Sequence, residues 1–185
     1  MTTARSRINV LSTKLWVPLN RSDVFELFSD AFQLERLTPP WLNFRVLTPG
    51  PIEMQTGQLI DYQIRLHGIP IRWRTEISNW EPPYRFTDTQ LRGPYRLWEH
   101  SHTFEELDGG TLVRDRVDYL VPGGPIVNRL FVRSDLRRIF NYRHDQLPEL
   151  LGVRPEDCDR GEVLFNTAER ATDNRSSRTL SGRRF

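Results

Sequence analysis

Polar and apolar residues alternate along most of this chain, and the alternation breaks at turn residues. Ile8 to Val17 alternates loosely and predicts a first strand closed by Pro18. Asn20, Ser22 and Asp23 are capping residues for a short helix over Val24 to Phe28, and a second helical turn through Phe32, Leu34 and Leu37 ends before Pro39-Pro40. Phe44 to Leu47 predicts a short strand, stopped by Pro49-Gly50-Pro51. From Gly57 the period is two: Ile60, Tyr62, Ile64 and Leu66, then, across a turn near His67-Gly68, Ile69, Ile71, Trp73, Thr75 and Ile77. These are the patterns of half-buried antiparallel strands. Tyr84 to Leu91 is the next strand, closed by Gly93-Pro94.

The stretch from Gly93 to Tyr119 has Asp108-Gly109 at its middle. That dipeptide favours a two-residue type I′ hairpin turn, because both central residues need positive φ. With the turn there, Leu107 faces Gly110, Phe104 faces Val113, His102 faces Asp115, His100 faces Val117 and Trp98 faces Tyr119. All of these share one sheet face, which is apolar and aromatic but carries two histidines and an aspartate. Glu99, Ser101, Arg114, Arg116 and Asp118 fall on the other face, where water suits them. A three-residue loop over Arg92 to Pro94 puts Leu91 opposite Tyr95, so that Phe86, Asp88 and Gln90 join the histidine face, whereas a two-residue loop puts them on the other side.

After Pro122-Gly123-Gly124, Pro125 is placed to start a helix. Ile126, Leu130, Leu136, Ile139, Phe140 and Leu147 form its expected apolar stripe, with Arg143 on it, and Pro148 loosens an end near Leu147 to Leu151. From Gly152 to Phe185 the chain is rich in Arg, Ser, Thr, Asp and Asn and has no periodicity, which predicts a mostly disordered tail, with Val163 to Phe165 as a fragment that can dock locally but is too short for a domain. The expected organisation is one α+β domain over residues 1–151 and a tail over 152–185. In it, a curved antiparallel sheet of about seven strands wraps a long C-terminal helix, with two short helices after the first strand.

Composition narrows the function. Net charge is +2 from 26 basic and 24 acidic side chains, and the tail's arginines are nearly balanced by acids, so no nucleic-acid partner is expected. Cys158 is the only cysteine, so an intrachain disulfide and a cysteine-built metal cluster are excluded. No apolar run approaches a membrane span, and the first residues lack the apolar core of a signal peptide, which predicts a cytoplasmic protein. No G-x-G-x-x-G dinucleotide motif is present.

The stretches LERLTPPWLNFRVLTPGPIEM, GIPIRWRTEI, WEPPYRF, GPYRLWEHSHTF, DGGTLVRDRVDY and LRRIFNYR resemble the START-like, or SRPBCC, superfamily, and within it a bacterial cyclase/dehydrase-like ligand-binding subfamily. The resemblance covers about residues 8 to 150. It implies a helix-grip fold and a small hydrophobic ligand, such as a lipid, quinone or polyketide, held between sheet and helix. A minority of such proteins catalyse cyclisation or dehydration there, and some relatives are fused to epimerase modules, which implies an epimerase-type protein partner. No catalytic motif transfers residue by residue.

The candidate site therefore rests on the hairpin register. Facing residues of an antiparallel pair have Cβ atoms about 5 Å apart, so His102 can be oriented by Asp115 as a general acid or base, or the two can be a buried pair that fixes register. His100-x-His102 with Asp115 can also be read as two histidines and a carboxylate facing a metal, but the sequence offers such a site no supporting groups, and no metal or other cofactor is expected. With the resemblance, Trp73, Phe86, Trp98, Phe104, Val117 and Tyr119 are expected to line a cavity, with Asp88, Gln90, His100 and Arg143 as polar lining. A buried arginine needs a partner, and Asp88 or Asp115 is the expected one for Arg143. Two functions compete with ligand binding: an enzyme of the cyclase or dehydratase type using His102 and Asp115, and a non-catalytic docking domain.

Overall fold

The alternating runs pair into one antiparallel sheet in the computed structural model, which describes residues 5–171. Its strands are β1 (Arg5–Val17), β2 (Arg45–Val46), β3 (Leu59–Leu66), β4 (Ile69–Glu81), β5 (Arg85–Arg92), β6 (Leu97–Leu107), β7 (Gly110–Leu120), β8 (Asp159–Arg160) and β9 (Leu164–Ala171). The order is β2-β3-β4-β5-β6-β7-β1-β8, and β9 also pairs with β1. The β3–β4 and β6–β7 turns each place two residues at positive φ, His67 and Gly68 in one and Asp108 and Gly109 in the other. A type I′ turn demands this geometry.

Two short helices follow β1. Helix α1 (Arg21–Ser29) starts where the Asn20 side chain accepts a hydrogen bond from the Asp23 backbone N–H, and α2 is Gln33–Leu37. The long C-terminal helix is one run of three parts: α3 (Gly124–Val127), a π-helical segment (Asn128–Val132) and α4 (Arg133–Leu151). Gly152, with φ 69°, caps it, and Pro148 lies inside it without ending it.

Three expectations need correction. Residues 152–171 are not a disordered tail: β9 pairs with β1 from Arg5↔Ala171 to Ser12↔Leu164, and β8 pairs at Leu15 and Trp16. The outer edge of β1 offers unpaired backbone N–H and C=O groups, and a strand added there needs no apolar pattern of its own. Val163 is buried, and the Phe165 ring lies under the guanidinium groups of Arg133 and Arg137. The rest of the expected tail, residues 172–185, lies outside the described residues. The sheet accordingly has nine strands rather than about seven, the two additional ones following the helix.

The third correction concerns the helix stripe. Ile126 and Leu130 are 72% and 62% exposed, and only Leu136, Phe140 and Leu147 are fully buried, with Ile139 half-buried. The wide π turn brings Asn128, Val132, Leu136 and Phe140, four apart, into line toward the sheet. Asn128 is buried there: it accepts from the Tyr119 hydroxyl at 3.1 Å and donates to Asn9 at 2.7 Å, fastening the helix start to β7 and β1.

Candidate functional site

The β6–β7 hairpin folds in the register that its turn dictates, with His102 opposite Asp115, His100 opposite Val117 and Trp98 opposite Tyr119. Both histidines and Asp115 are buried. Strand β5 brings Phe86 opposite His102 and Asp88 opposite His100. The connection is longer than the expected three-residue loop, because the Gln90 amide donates to the Tyr95 carbonyl at 2.7 Å and holds the turn open. The slip is two residues, an even number, so Phe86 and Asp88 stay on the histidine face.

Four titratable groups meet at this place. Asp115 Oδ1 lies 3.0 Å from His100 Nε2 and 2.7 Å from His102 Nδ1. The contact with His100 is a well-directed hydrogen bond, whereas the shorter one with His102 is off the ring's N–H direction. On the other side of the rings, Asp88 Oδ2 is 3.6 Å from His100 Nδ1 and 3.6 Å from His102 Nε2. The two imidazoles lie 3.9 Å apart, His102 stacks on Phe86 at 4.3 Å, and His100 meets Phe140 edge-on at 5.6 Å. The single proton of the Thr75 hydroxyl faces the Thr89 carbonyl at 3.0 Å and, at a longer 3.4 Å, Asp88 Oδ1.

Burial disfavours every charge here, so the pairings decide which charges survive. Burial pushes the Asp115 carboxyl up, but the charge on the adjacent His102 and the hydrogen bond from His100 hold it well below the usual carboxylate range. Asp88 is also lowered, since His102, His100 and Arg143 outweigh its desolvation. His102 is raised: burial opposes its charge, and the two carboxylates prevail. His100 is lowered by burial and by the neighbouring His102 charge.

Arg143 reaches this region from α4 and is buried. It makes no ion pair within 4.0 Å among the described residues, so the expected close pairing with Asp88 or Asp115 is not formed, and its Nε has no hydrogen-bond partner. Its guanidinium rests 5.3 Å from the Phe140 ring centroid and acts on Asp88 through space. His144, beside it, packs the other way, with Nε2 3.1 Å from Thr13 Oγ1.

Between sheet and helix lies a cavity of about 160 Å³. Trp73, Phe86, Asp88, Trp98, His100, His102 and Arg143 line it, as do Tyr62, Thr75, Ile64, Leu136, Ile139 and Phe140. Five other residues expected at the site are placed elsewhere. Asp115 sits behind the histidines, Phe104 packs against Phe25 and Phe28, Val117 is in the core, Tyr119 bonds Asn128, and Gln90 braces the β5–β6 turn. The alternation of β3 pointed Tyr62 and Ile64 to the inner face, but nothing in β3 or β4 by itself separates a cavity wall from solid core. Thr75 and His144 carry no sequence signal of their roles, since each depends on a partner far along the chain.

Residues 17–140 match the model of the polyketide cyclase / dehydrase and lipid transport family. The chain belongs to that family. Among curated proteins, no sequence match was found. Solved structures with the same fold include protein CV1439 from Chromobacterium violaceum, at 15% identity and a TM-score of 0.63, covering 79% of this chain and 99% of that one. A START superfamily protein from Mycobacterium smegmatis has 14% identity, TM-score 0.59 and coverage of 77% and 99%. The ZhuI aromatase/cyclase of Streptomyces sp. R1128 has 13% identity, TM-score 0.58 and coverage of 80% and 94%. At these identities the likeness shows the fold: a START-like helix grip, an antiparallel sheet around a long C-terminal helix. No helix among the described residues of this family member is long and apolar enough to cross a membrane.

Proposed function

We propose that the cavity binds a small, mainly apolar molecule of one or two rings, oriented by one polar group at the Asp88–His100–His102 end. The observation that carries this is the asymmetry of the lining. Tyr62, Ile64, Trp73, Trp98, Leu136 and Phe140 make apolar walls, Thr75, Asp88, His100, His102 and Arg143 converge at one place, and Asp30, Gln33 and Thr38 line the cavity from the segment around α2. Apolar walls with a few convergent polar groups are the usual makeup of a ligand pocket. A volume near 160 Å³ sets the size class, because a cavity of about 150 Å³ accommodates a benzene ring. The unpartnered Trp73 Nε1 and Arg143 Nε are donors that a carbonyl or hydroxyl oxygen would satisfy.

Native mass spectrometry of the protein purified from its own cells, followed by solvent extraction, tests this reading. One small aromatic or polycyclic molecule per chain is the expected result. A clean protein mass that does not shift on adding aromatic ketones and phenols overturns it.

Catalysis of the cyclase or dehydratase type is the second reading, favoured by one arrangement. His102 is held from behind by Asp115 and faces the cavity with its Nε2 edge, the posture of a general acid beside a bound carbonyl. In that reading His102→Gln lowers turnover of a cyclisable substrate by about 100-fold or more, whereas a pure binder shows no turnover to lose.

A further inference from the structure

The two carboxylates of the cluster stand in unlike relations to the two histidines, and the difference points to a cation. Asp115 Oδ1 contacts one nitrogen of each ring, Nε2 of His100 and Nδ1 of His102. Each neutral imidazole has one N–H and one lone pair. A metal displaces any proton on the ligating nitrogen, and with His100 Nε2 bonded to Asp115 Oδ1 and His102 Nδ1 nearest the same oxygen, the ring nitrogens left for a metal are His100 Nδ1 and His102 Nε2. Both are directed to the same side, and the atom they meet there is Asp88 Oδ2, 3.6 Å from each. That separation is too long for a hydrogen bond. Three electron-pair donors thus converge, and one donor atom from each of Asp88, His100 and His102 lies within 4.8 Å of the other two.

We infer that Asp88, His100 and His102 form a binding site for one divalent transition-metal ion, open to the cavity, with Asp115 as the carboxylate that fixes both histidines from behind. Two imidazoles and one carboxylate suit zinc, iron(II), cobalt(II) or manganese(II). A metal about 2.1 Å from two donors 3.6 Å apart sees them at roughly 120°, within reach of tetrahedral or trigonal coordination after small side-chain adjustments. A ligating histidine normally donates its other N–H to a carboxylate; Asp115 accepts that bond from His100 and lies 2.7 Å from the corresponding nitrogen of His102. The sequence pattern had suggested Asp115 as the metal-facing carboxylate; the register of β5 puts Asp88 there instead. Thr75 holds the other oxygen of Asp88, and the cavity beyond leaves coordination positions for water or for a polar atom of an organic ligand. Arg143, the nearby cation, is the group that opposes the metal charge.

The inference shares its cavity with the proposed organic ligand and does not depend on it. The test is calorimetric titration of the chelator-treated full chain with Zn²⁺, together with the visible absorption spectrum of Co²⁺ added to the same protein. One ion per chain and a cobalt spectrum of four- or five-coordinate type are expected. Asp88→Asn, which keeps the side-chain shape, and Asp115→Asn should each weaken binding by about 10- to 100-fold, while His67→Ala, at the exposed His67–Asp135 pair, leaves it unchanged. Thermal melts check that each variant is folded. No binding by the folded wild-type chain overturns the inference, as does binding that Asp88→Asn and His100→Ala leave intact. Binding of aromatic probes by a chain that takes no metal would overturn this inference and leave the ligand reading standing.

Discussion

The two histidines divide the interior into halves that are built alike and packed differently. On the side of His102, Phe25 and Phe28 from α1 close on Phe104 with ring centroids 5.2 and 5.1 Å apart, and Leu15, Val17, Val113 and Leu147 fill the remainder. On the side of His100, Tyr62, Trp73 and Trp98 lie along the wall, Tyr62 nearly parallel to Trp73 at 6.0 Å and Trp73 edge-on to Trp98 at 5.4 Å, and the cavity opens in front of them. Both halves are roofed by α4. One sheet and one helix therefore serve both as a packed core and as a container. Where Phe25 of α1 packs on Phe104, the space is filled; Phe28, next along α1, bounds the cavity, which stays open along the flat aromatic wall. The polar cluster lies at the seam, with a solid backing on one side and room for a ligand on the other.

Substitutions can break or sharpen this contrast. The largest effect is expected in the packed half: Phe104→Ala should cost about 3–5 kcal/mol in denaturant unfolding and leave affinity for an aromatic probe unchanged, since the residue does not line the cavity. Equal losses of stability and affinity would show that the halves are not separable. At the seam, Asp115→Ala should cost about 3 kcal/mol, because it strands the paired nitrogens of His100 and His102 without their carboxylate.

Acid provides the next contrast. Burial, aided by the charges of Arg160 and Arg143, lowers the His144 pKa from 6.5 to about 4 against the pull of Asp115 and Asp145. Between those values the unfolded chain binds the proton and the folded chain does not, so stability falls as pH drops below about 6.5. Between pH 7 and pH 5 this one residue should account for about 2 kcal/mol of that loss. In His144→Gln the corresponding part of the pH dependence should vanish from urea melts; an unchanged slope would place the acid sensitivity elsewhere. The smallest effect is expected in the open half, where Ile64→Val should cost about 0.5 kcal/mol, the low end for this change, because its neighbours already border empty space.

The packed half was easier to read from sequence than the open one, and particular residues show why. Asp108-Gly109 fixed the β6–β7 register because a two-residue turn leaves one pairing, so His102 opposite Asp115 follows from local chemistry alone. The resemblance supplied the helix grip. The face of Asp88 hung on the loop length, an odd loop giving the histidine face and an even one the other; the observed register differs from the three-residue expectation by two, so the face is kept and the pairing partner is not. Ile126 and Leu130 misled because a five-residue π segment changes which positions look inward, and it has no sequence pattern comparable to heptad or period-two spacing. Of the β9 region only Val163 to Phe165 was legible, as a fragment able to dock; the strand itself was not, because edge pairing is carried by backbone groups, which every residue but proline supplies. Arg143 was placed correctly on the inner stripe and its partner was not, because a guanidinium beside a cavity does not need the close ion pair that solid core would demand.

The central claim, an apolar cavity with one polar end, is tested most directly by calorimetric titration of the chain and of Asp88→Asn with two probes of matched shape, naphthalene and 2-naphthol. The account predicts one molecule per chain, with naphthol held about 10- to 100-fold more tightly than naphthalene, and a gap that closes in Asp88→Asn, since the hydroxyl gains a hydrogen bond to a charged group. Equal affinity for the two probes in the wild-type chain, or no binding of either, would contradict it.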